Sequence, residues 1–235
     1  MEKAEQNART FVAIFFLAAT AGFYIYNKVS VADRLVSLDE LSREEAGREV
    51  KGLGDPARMK LVPPLIRSLK SKEPTTRYYA ARALGRLGPA AREAAPALLA
   101  MLNDTGLNSN VGAAAAEAFG QIAPDPVAGL TLALKDGDAE AGSNAASALG
   151  NFGPAAREAV PLLIGAAKAG NPGLRQSSIR ALGKIGPEAK AAVPVLAGAL
   201  KAGDPLSRSY AAEALERIGT PEALKALQKE GPGGY

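Results

Sequence analysis

A nine-residue pattern recurs five times in this chain and constrains the fold more than any other feature. It consists of two small residues, a variable residue, Ala-Leu-Gly, a second variable residue, an apolar residue and Gly. Successive copies begin 35, 30, 33 and 33 residues apart. This period predicts a stack of similar units that bury their apolar faces against one another. With local departures, the copies read AARALGRLG (80–88), AAEAFGQIA (115–123), AASALGNFG (145–153), SIRALGKIG (178–186) and AAEALERIG (211–219).

Each unit carries the start and stop signals of two helices. In the fourth unit Pro161 suits the first turn of a helix, and Gly170 can end that helix. Asn171 and Pro172 predict a capped second helix, which ends at Gly186. Corresponding restart signals occur at Glu73-Pro74, Asp104, Asp138 and Asp204-Pro205. Because Ala and Leu dominate the apolar residues, we expect an all-α fold, an α-solenoid of about five helical hairpins.

Glycine recurs within the predicted second helix of four units. A glycine inside a helix costs about 1 kcal/mol relative to alanine, so its recurrence needs a reason. We expect close approach of neighbouring helices at these positions. In the fifth unit Glu216 replaces the glycine, as suits a terminal unit that faces water. The four structural glycines are Gly85, Gly120, Gly150 and Gly183.

An uncharged apolar stretch, TFVAIFFLAATAGFYIYN, lies near the start of the chain. It is about long enough to cross the hydrocarbon core of a bilayer, so we predict an N-terminal transmembrane helix at 10–28. A cleaved signal peptide and a buried core helix are the alternatives. The prediction implies a single-pass membrane protein whose solenoid lies outside the cytoplasm. The remaining segments are a tail (1–9), a linker (29–41), the solenoid (42–230), where Ser42 and Glu45 suggest a helix start, and a flexible tail (231–235).

The composition excludes several kinds of chemistry. The chain has no His, Cys or Trp, so it lacks an imidazole base, a thiolate nucleophile and Cys/His zinc ligands. The segment DGDAE (136–140) only partly resembles a calcium loop, since Ala141 stands where glycine is needed. We therefore predict a non-enzymatic protein with no catalytic residues, no metal, no cofactor, no nucleic-acid partner and no small-molecule substrate.

The repeated core, its following Gly-Pro and the Pro-x-x-Arg restart resemble HEAT repeats, in the short form shared with phycobilisome bilin lyases. The resemblance covers about residues 42–230. It implies a curved stack in which the second helices line the concave side. It also implies that Arg77, Arg175 and Arg208 pair with neighbouring acidic groups, while Val111 and Gly142 interrupt this series. A bilin-lyase-like enzyme or tetrapyrrole-handling chaperone is the alternative function that it suggests.

Two positions of the repeated pattern vary freely between units while their neighbours are constrained. Because they lie four residues apart, they share one face of each second helix. They form either a recognition surface or merely a solvated face, and we predict recognition of protein partners, as subunits of a membrane complex. Tyr78, Tyr79 and Tyr210 are candidate anchors, because aromatic residues dominate interface energetics. The variable residues are Arg82, Glu117, Ser147, Arg180 and Glu213, followed by Arg86, Gln121, Asn151, Lys184 and Arg217.

Overall fold

The computed structural model describes residues 30–108, 110–202 and 204–230. Within them the chain forms fourteen α-helices, three 3-10 helices and no strand. The 3-10 helices are Gly88–Ala94, Gly153–Ala159 and Gly186–Ala192. The α-helices are α1 Val31–Leu35, α2 Glu40–Lys51, α3 Asp55–Met59, α4 Val62–Ser68, α5 Pro74–Leu87, α6 Ala95–Leu99, α7 Asn110–Ile122, α8 Pro126–Asp136, α9 Ala139–Asn151, α10 Val160–Ala166, α11 Pro172–Ile185, α12 Val193–Ala202, α13 Pro205–Ile218 and α14 Pro221–Glu230.

The second helices of the five units are α5, α7, α9, α11 and α13, and each packs against the next in chain order. The first helices are α4, α6, α8, α10 and α12, and each packs against the second helix of its own unit. Every first helix contributes one fully buried leucine to the continuous apolar core. These leucines recur at the repeat period, at Leu65, Leu98, Leu130, Leu163 and Leu196. The predicted all-α solenoid of paired helices is therefore confirmed.

The starts of the second helices follow the predicted cap chemistry. Asp138, Asn171 and Asp204 each accept a hydrogen bond from the backbone N–H three residues later, at 2.8, 3.0 and 3.0 Å. Such caps satisfy donors that have no partner within the helix. The second unit differs, since α7 begins at Asn110, six residues after Asp104. Asp104 instead accepts from the Gly106 backbone N–H at 2.8 Å within the preceding loop.

The duplicated sequence GPAAREA forms the first two 3-10 helices, which join one unit to the next. Gly88 and Gly153 adopt φ values of 63° and 56°, which favour glycine over residues with a side chain. Ala91 and Ala94 are fully buried, as are their equivalents in the second copy. The Arg and Glu of both copies are exposed. The motif thus reverses the chain and leaves room only for a methyl group beneath the turn.

Polar contacts also join neighbouring units. The guanidinium of Arg77 donates to both carboxylate oxygens of Asp104, at 2.7 and 2.9 Å, and to the carbonyl of Ser71 at 3.0 Å. Arg175 repeats this arrangement with Asp204 at 2.8 Å. In the middle of the stack the buried amide of Asn144 donates to the Leu102 carbonyl at 2.8 Å. Two of the arginines that the resemblance singles out therefore contact an acidic residue of the following unit.

The start of the packed region differs from the predicted linker at 29–41. Helix α1 lies within that segment, and its Ala32 and Leu35 are buried in the core. Arg34 forms an ion pair with Glu49 of α2. Asp39, rather than Ser42, caps α2 by accepting from the Ser42 backbone N–H at 2.8 Å. The packed core of the stack thus begins at α1.

The predicted membrane localisation, with the solenoid outside the cytoplasm, is wrong on the evidence of the described helices. In residues 30–108, 110–202 and 204–230 no helix is long and apolar enough to cross a membrane. The longest of them have 14 residues, or about 21 Å, against about 30 Å of hydrocarbon. The segment 10–28, on which this prediction rested, and the tails 1–9 and 231–235 lie outside the described residues.

The first prediction concerns the contact between second helices. A Cβ on Gly183 would lie 2.7 Å from the Ala214 Cα, whereas one on Gly198 would meet nothing within 4 Å. We expect Gly183→Ala to lower the free energy of unfolding by about 1–3 kcal/mol, because the helices must separate. Gly198→Ala, in α12, is the matched control and should raise it by about 0.5–1 kcal/mol. Urea denaturation followed by circular dichroism measures both, and equal effects would contradict the assigned contact.

The second prediction concerns acid sensitivity. Hydrogen bonding from Arg77 holds the pKa of Asp104 below its ordinary value. Such a carboxylate stabilises the fold above its unfolded pKa of about 3.9, and the contribution is lost as the pH falls toward the folded pKa. Asp104→Asn should therefore lower the free energy of unfolding at pH 7 by about 1–3 kcal/mol.

The same variant should also lose stability less steeply than the native chain between pH 5 and pH 3. Asp136→Asn, which removes an exposed carboxylate at the end of α8, is the control and should keep the native pH profile. Urea denaturation midpoints, measured for the three chains at each pH, test this difference in pH dependence. Parallel profiles for Asp104→Asn and the native chain would show that the Asp104 carboxylate makes no such contribution.

Candidate interaction surface

All ten variable residues of the second helices are exposed. Between them, Ala and Leu residues such as Ala83 and Leu84 point into the core. The variable side chains therefore stand on one surface, which we call the second-helix surface. Its first row is Arg82, Glu117, Ser147, Arg180 and Glu213, and its second row is Arg86, Gln121, Asn151, Lys184 and Arg217.

Charge is distributed unevenly over the second-helix surface. The first row has two arginines and two glutamates, so their charges balance. The second row has three cations and two amides, which leaves three positive charges. All three of these cations are exposed. The second-helix surface is thus complementary to a partner that carries carboxylates.

Side chains of the second-helix surface contact one another within and between units. Lys184 donates to the Asn151 amide oxygen at 2.8 Å across two units. Arg217 pairs with Glu213 at 2.6 Å, and Gln121 donates to Glu117 at 3.4 Å. Partial burial, followed by repulsion from Arg180 and Arg217, lowers the pKa of Lys184. A carboxylate bound at this position would relieve that repulsion.

The three predicted aromatic anchors are half-buried, and each lies near an arginine. Tyr78 and Tyr79 meet edge to face with ring centroids 5.2 Å apart. The Arg43 guanidinium lies 4.0 Å from the Tyr79 ring centroid, and that of Arg180 lies 5.2 Å from the Tyr210 centroid. These cation–π contacts hold the arginines in place at both ends of the second-helix surface.

The repeat glycines lie beneath this surface, in the seam between neighbouring second helices. A Cβ on Gly150 would lie 2.9 Å from the Ala181 Cα, and one on Gly85 would lie 3.2 Å from the Ala118 Cα. Gly120 differs, since its neighbour is the ring of Phe152 at 3.1 Å. Glu216, at the equivalent position of the last unit, is exposed. The seam therefore determines the distance between the charged side chains of successive units.

A groove at the first end of the stack was not predicted. Helices α2 and α5 enclose two adjoining depressions of about 220 and 430 Å³, which share Leu35, Glu44, Ala83 and Arg86. We call the two together the basic groove. Its cations are Arg43, Arg48, Lys51, Arg58, Arg82 and Arg86, and its carboxylates are Glu40 and Glu44.

The repeat alignment could not reveal the basic groove, because four of its cations belong to the degenerate half-unit that precedes the first complete repeat. Their clustering between Arg43 and Arg58 was the available signal. At the opposite end, Arg180, Lys184, Tyr210, Glu213 and Arg217 surround a smaller depression of about 120 Å³. Across the described part of the chain, no group of three or more His, Cys, Asp or Glu residues could hold a metal ion.

Solved structures of similar fold cover most of the chain. One from work on microtubule plus-end tracking by XMAP215, CLIP-170 and EB1 has a TM-score of 0.52 at 20% identity, over 81% of this chain and 91% of that one. An engineered protein has a TM-score of 0.45 at 25% identity, over 80% and 95%. Human deoxyhypusine hydroxylase, in complex with glycerol, has a TM-score of 0.37 at 24% identity, over 90% and 93%. At 20% identity, the first of these likenesses concerns the fold alone.

No protein of curated function matches the chain. Models of repeat families do match, and they cover the region in which the structure has paired helices. The PBS lyase HEAT-like repeat matches residues 207–229. The HEAT repeat model matches residues 31–120 and 127–192, which is more than half of the chain. The first match begins at α1, in agreement with the packing of that helix. Because the matches cover most of the chain, the chain belongs to the HEAT-repeat family.

Proposed function

We propose that this chain is a non-catalytic scaffold whose second-helix surface docks a partner protein within a larger complex. The proposal rests on one observation, the difference between variable and constrained positions within each second helix. Two positions vary in charge and size, and all ten of these side chains are exposed. Most of their neighbours are Ala, Leu and Gly residues that are buried by packing.

The charge of the second-helix surface supports a protein partner with acidic side chains. Three cations of the second row, Arg86, Lys184 and Arg217, are spread from the first unit to the fifth. Complementary charge accelerates association and selects among partners more than it adds affinity. The half-buried tyrosines provide the rigid aromatic contacts that dominate the energetics of many interfaces.

The bilin-lyase-like alternative rests on one repeat, at residues 207–229. That match concerns the repeat itself, which serves many unrelated functions. A docking function needs only the exposed surface and the stack that holds it. We therefore retain the scaffold as the proposed function.

The third prediction tests the second-helix surface by charge reversal. The full chain with Arg86→Glu and Lys184→Glu is compared with the native chain after affinity isolation from its own cells and quantitative mass spectrometry. We expect the specific partner to be recovered at least tenfold less, since two like-charge contacts replace two favourable ones. Titration with that partner, once purified, should show a Kd raised at least tenfold.

The matched control reverses two exposed cations of the first helices, Arg67→Glu in α4 and Lys135→Glu in α8. It changes the net charge by the same amount and should leave recovery unchanged. Circular dichroism should show the same helicity in all three chains. Equal recovery with both double variants would exclude the second-helix surface as the docking site.

A further inference from the structure

We infer that the basic groove binds an extended acidic segment of a partner protein, with one apolar side chain of that segment inserted among the groove's apolar residues. This inference rests on the proposed function and names the chemistry of the partner.

Net charge is concentrated in the basic groove. Six cations and two carboxylates line it, which leaves four positive charges. The whole chain has a net charge of +4, so the residues outside the groove balance one another. Low-dielectric walls around a concentration of one charge focus the field and attract an oppositely charged ligand.

Several cations of the basic groove lack a carboxylate of their own. No ion pair within the described part of the chain joins Arg86, Lys51 or Arg58 to an acidic side chain. Arg58 Nη2 donates to the Lys51 carbonyl at 3.3 Å, while its buried Nε–H has no acceptor. A ligand carboxylate would therefore supply a charged acceptor that the fold itself does not provide.

Arg86 of α5 lies opposite Gly47 of α2 in the basic groove. Its Nη1 lies 3.5 Å from the position that a Cβ on Gly47 would occupy. On the other side, Arg43 is held by its cation–π contact with Tyr79 and donates to the Ser37 carbonyl at 2.6 Å. The groove thus combines arginines that are fixed by the fold with others that face its opening.

Apolar residues distinguish the basic groove from a simple cationic patch. Leu35, Val50 and Ala83 are buried and line its larger depression together with Gly47. A volume of about 430 Å³ falls within the range of about 300–1,000 Å³ typical of sites for organic ligands. Burial of an apolar side chain here would add hydrophobic stabilisation to the charge contacts.

The basic groove continues onto the second-helix surface. Arg82 and Arg86 also line a depression with Glu117 and Gln121 of α7. The continuous path therefore involves side chains of three helices, α2, α5 and α7. Contact with all three favours an extended segment over a small molecule, and a hexapeptide, about 20 Å long when extended, is a suitable probe.

Carboxylates along the same path favour a polypeptide over a nucleic acid. Glu40, Glu44 and Glu117 line the same depressions as the arginines. A continuous phosphate backbone would meet them with repulsion. An acidic peptide can place its carboxylates opposite arginines and its uncharged residues opposite these glutamates.

The fourth prediction uses the full chain and the fluorescein-labelled peptide EDFEDE, followed by fluorescence anisotropy. We expect saturable binding that weakens with salt. The amide peptide QNFQNQ should bind at least tenfold more weakly, and EDAEDE, without the aromatic ring, about tenfold more weakly. Absence of EDFEDE binding at 1 mM, equal binding of QNFQNQ, or tighter binding of a hexameric single-stranded RNA would overturn the inference.

Two variants locate the site. Arg58→Gln with Arg86→Gln should weaken EDFEDE binding at least tenfold, whereas Arg92→Gln with Arg157→Gln, two exposed arginines of the GPAAREA turns, should leave it unchanged. Gly47→Leu retains every charge and fills the apolar floor, so it should weaken EDFEDE at least fivefold and affect EDAEDE less. Equal effects of the two glutamine pairs would overturn the inference.

The failures of the two proposals are distinguishable. If charge reversal on the second-helix surface abolishes capture of the native partner while Arg58→Gln and Gly47→Leu leave it unchanged, the scaffold function stands and the basic groove is excluded. If charge reversal leaves capture unchanged, the scaffold proposal itself fails. Circular dichroism at 222 nm verifies that each variant is folded.

Discussion

Close contact between successive second helices is the interaction on which the rest of this structure depends. A single helical hairpin of about 33 residues buries too little apolar surface to be stable alone. Each hairpin becomes stable when its leucines are covered by the next unit, as the buried series from Leu65 to Leu196 indicates. Alanine and glycine in the seam let the helices approach until their backbones touch. The cost of a mid-helix glycine is offset by that contact.

The stack was predictable because its signals are local and repeated. An Asn-Pro or Asp-Pro pair caps and starts a helix by its own chemistry, so α11 begins and ends where Asn171 and Gly186 predict. The features that were not predicted depend on contacts distant in sequence. Helix α1 is short and becomes ordered by packing on the core, and Asp104 contacts Arg77 and the Gly106 backbone N–H instead of capping α7. Neither the packing of α1 nor the contact between Arg77 and Asp104 produces a periodic pattern in the sequence.

The same distinction applies to the candidate site. Exposure of the ten variable residues followed from comparing units, since positions that packing does not constrain are free to differ. The basic groove did not follow, because it joins α2 of an irregular half-unit to α5 of the first complete repeat. Its cations come from two separate segments of the chain, 43–58 and 82–86. Only the packing of α2 beside α5 brings Gly47 opposite Arg86.

These two levels of structure are physically linked. The spacing between charged side chains of neighbouring units equals the spacing of their helices, which the seam determines. Lys184 reaches Asn151 at 2.8 Å because Gly150 and Ala181 allow α9 and α11 to touch. A change in the seam would therefore alter the fit of a partner whose carboxylates stand at fixed distances, even though that partner contacts no glycine. The geometry of the proposed docking surface thus depends on the buried small residues as well as on the exposed charges.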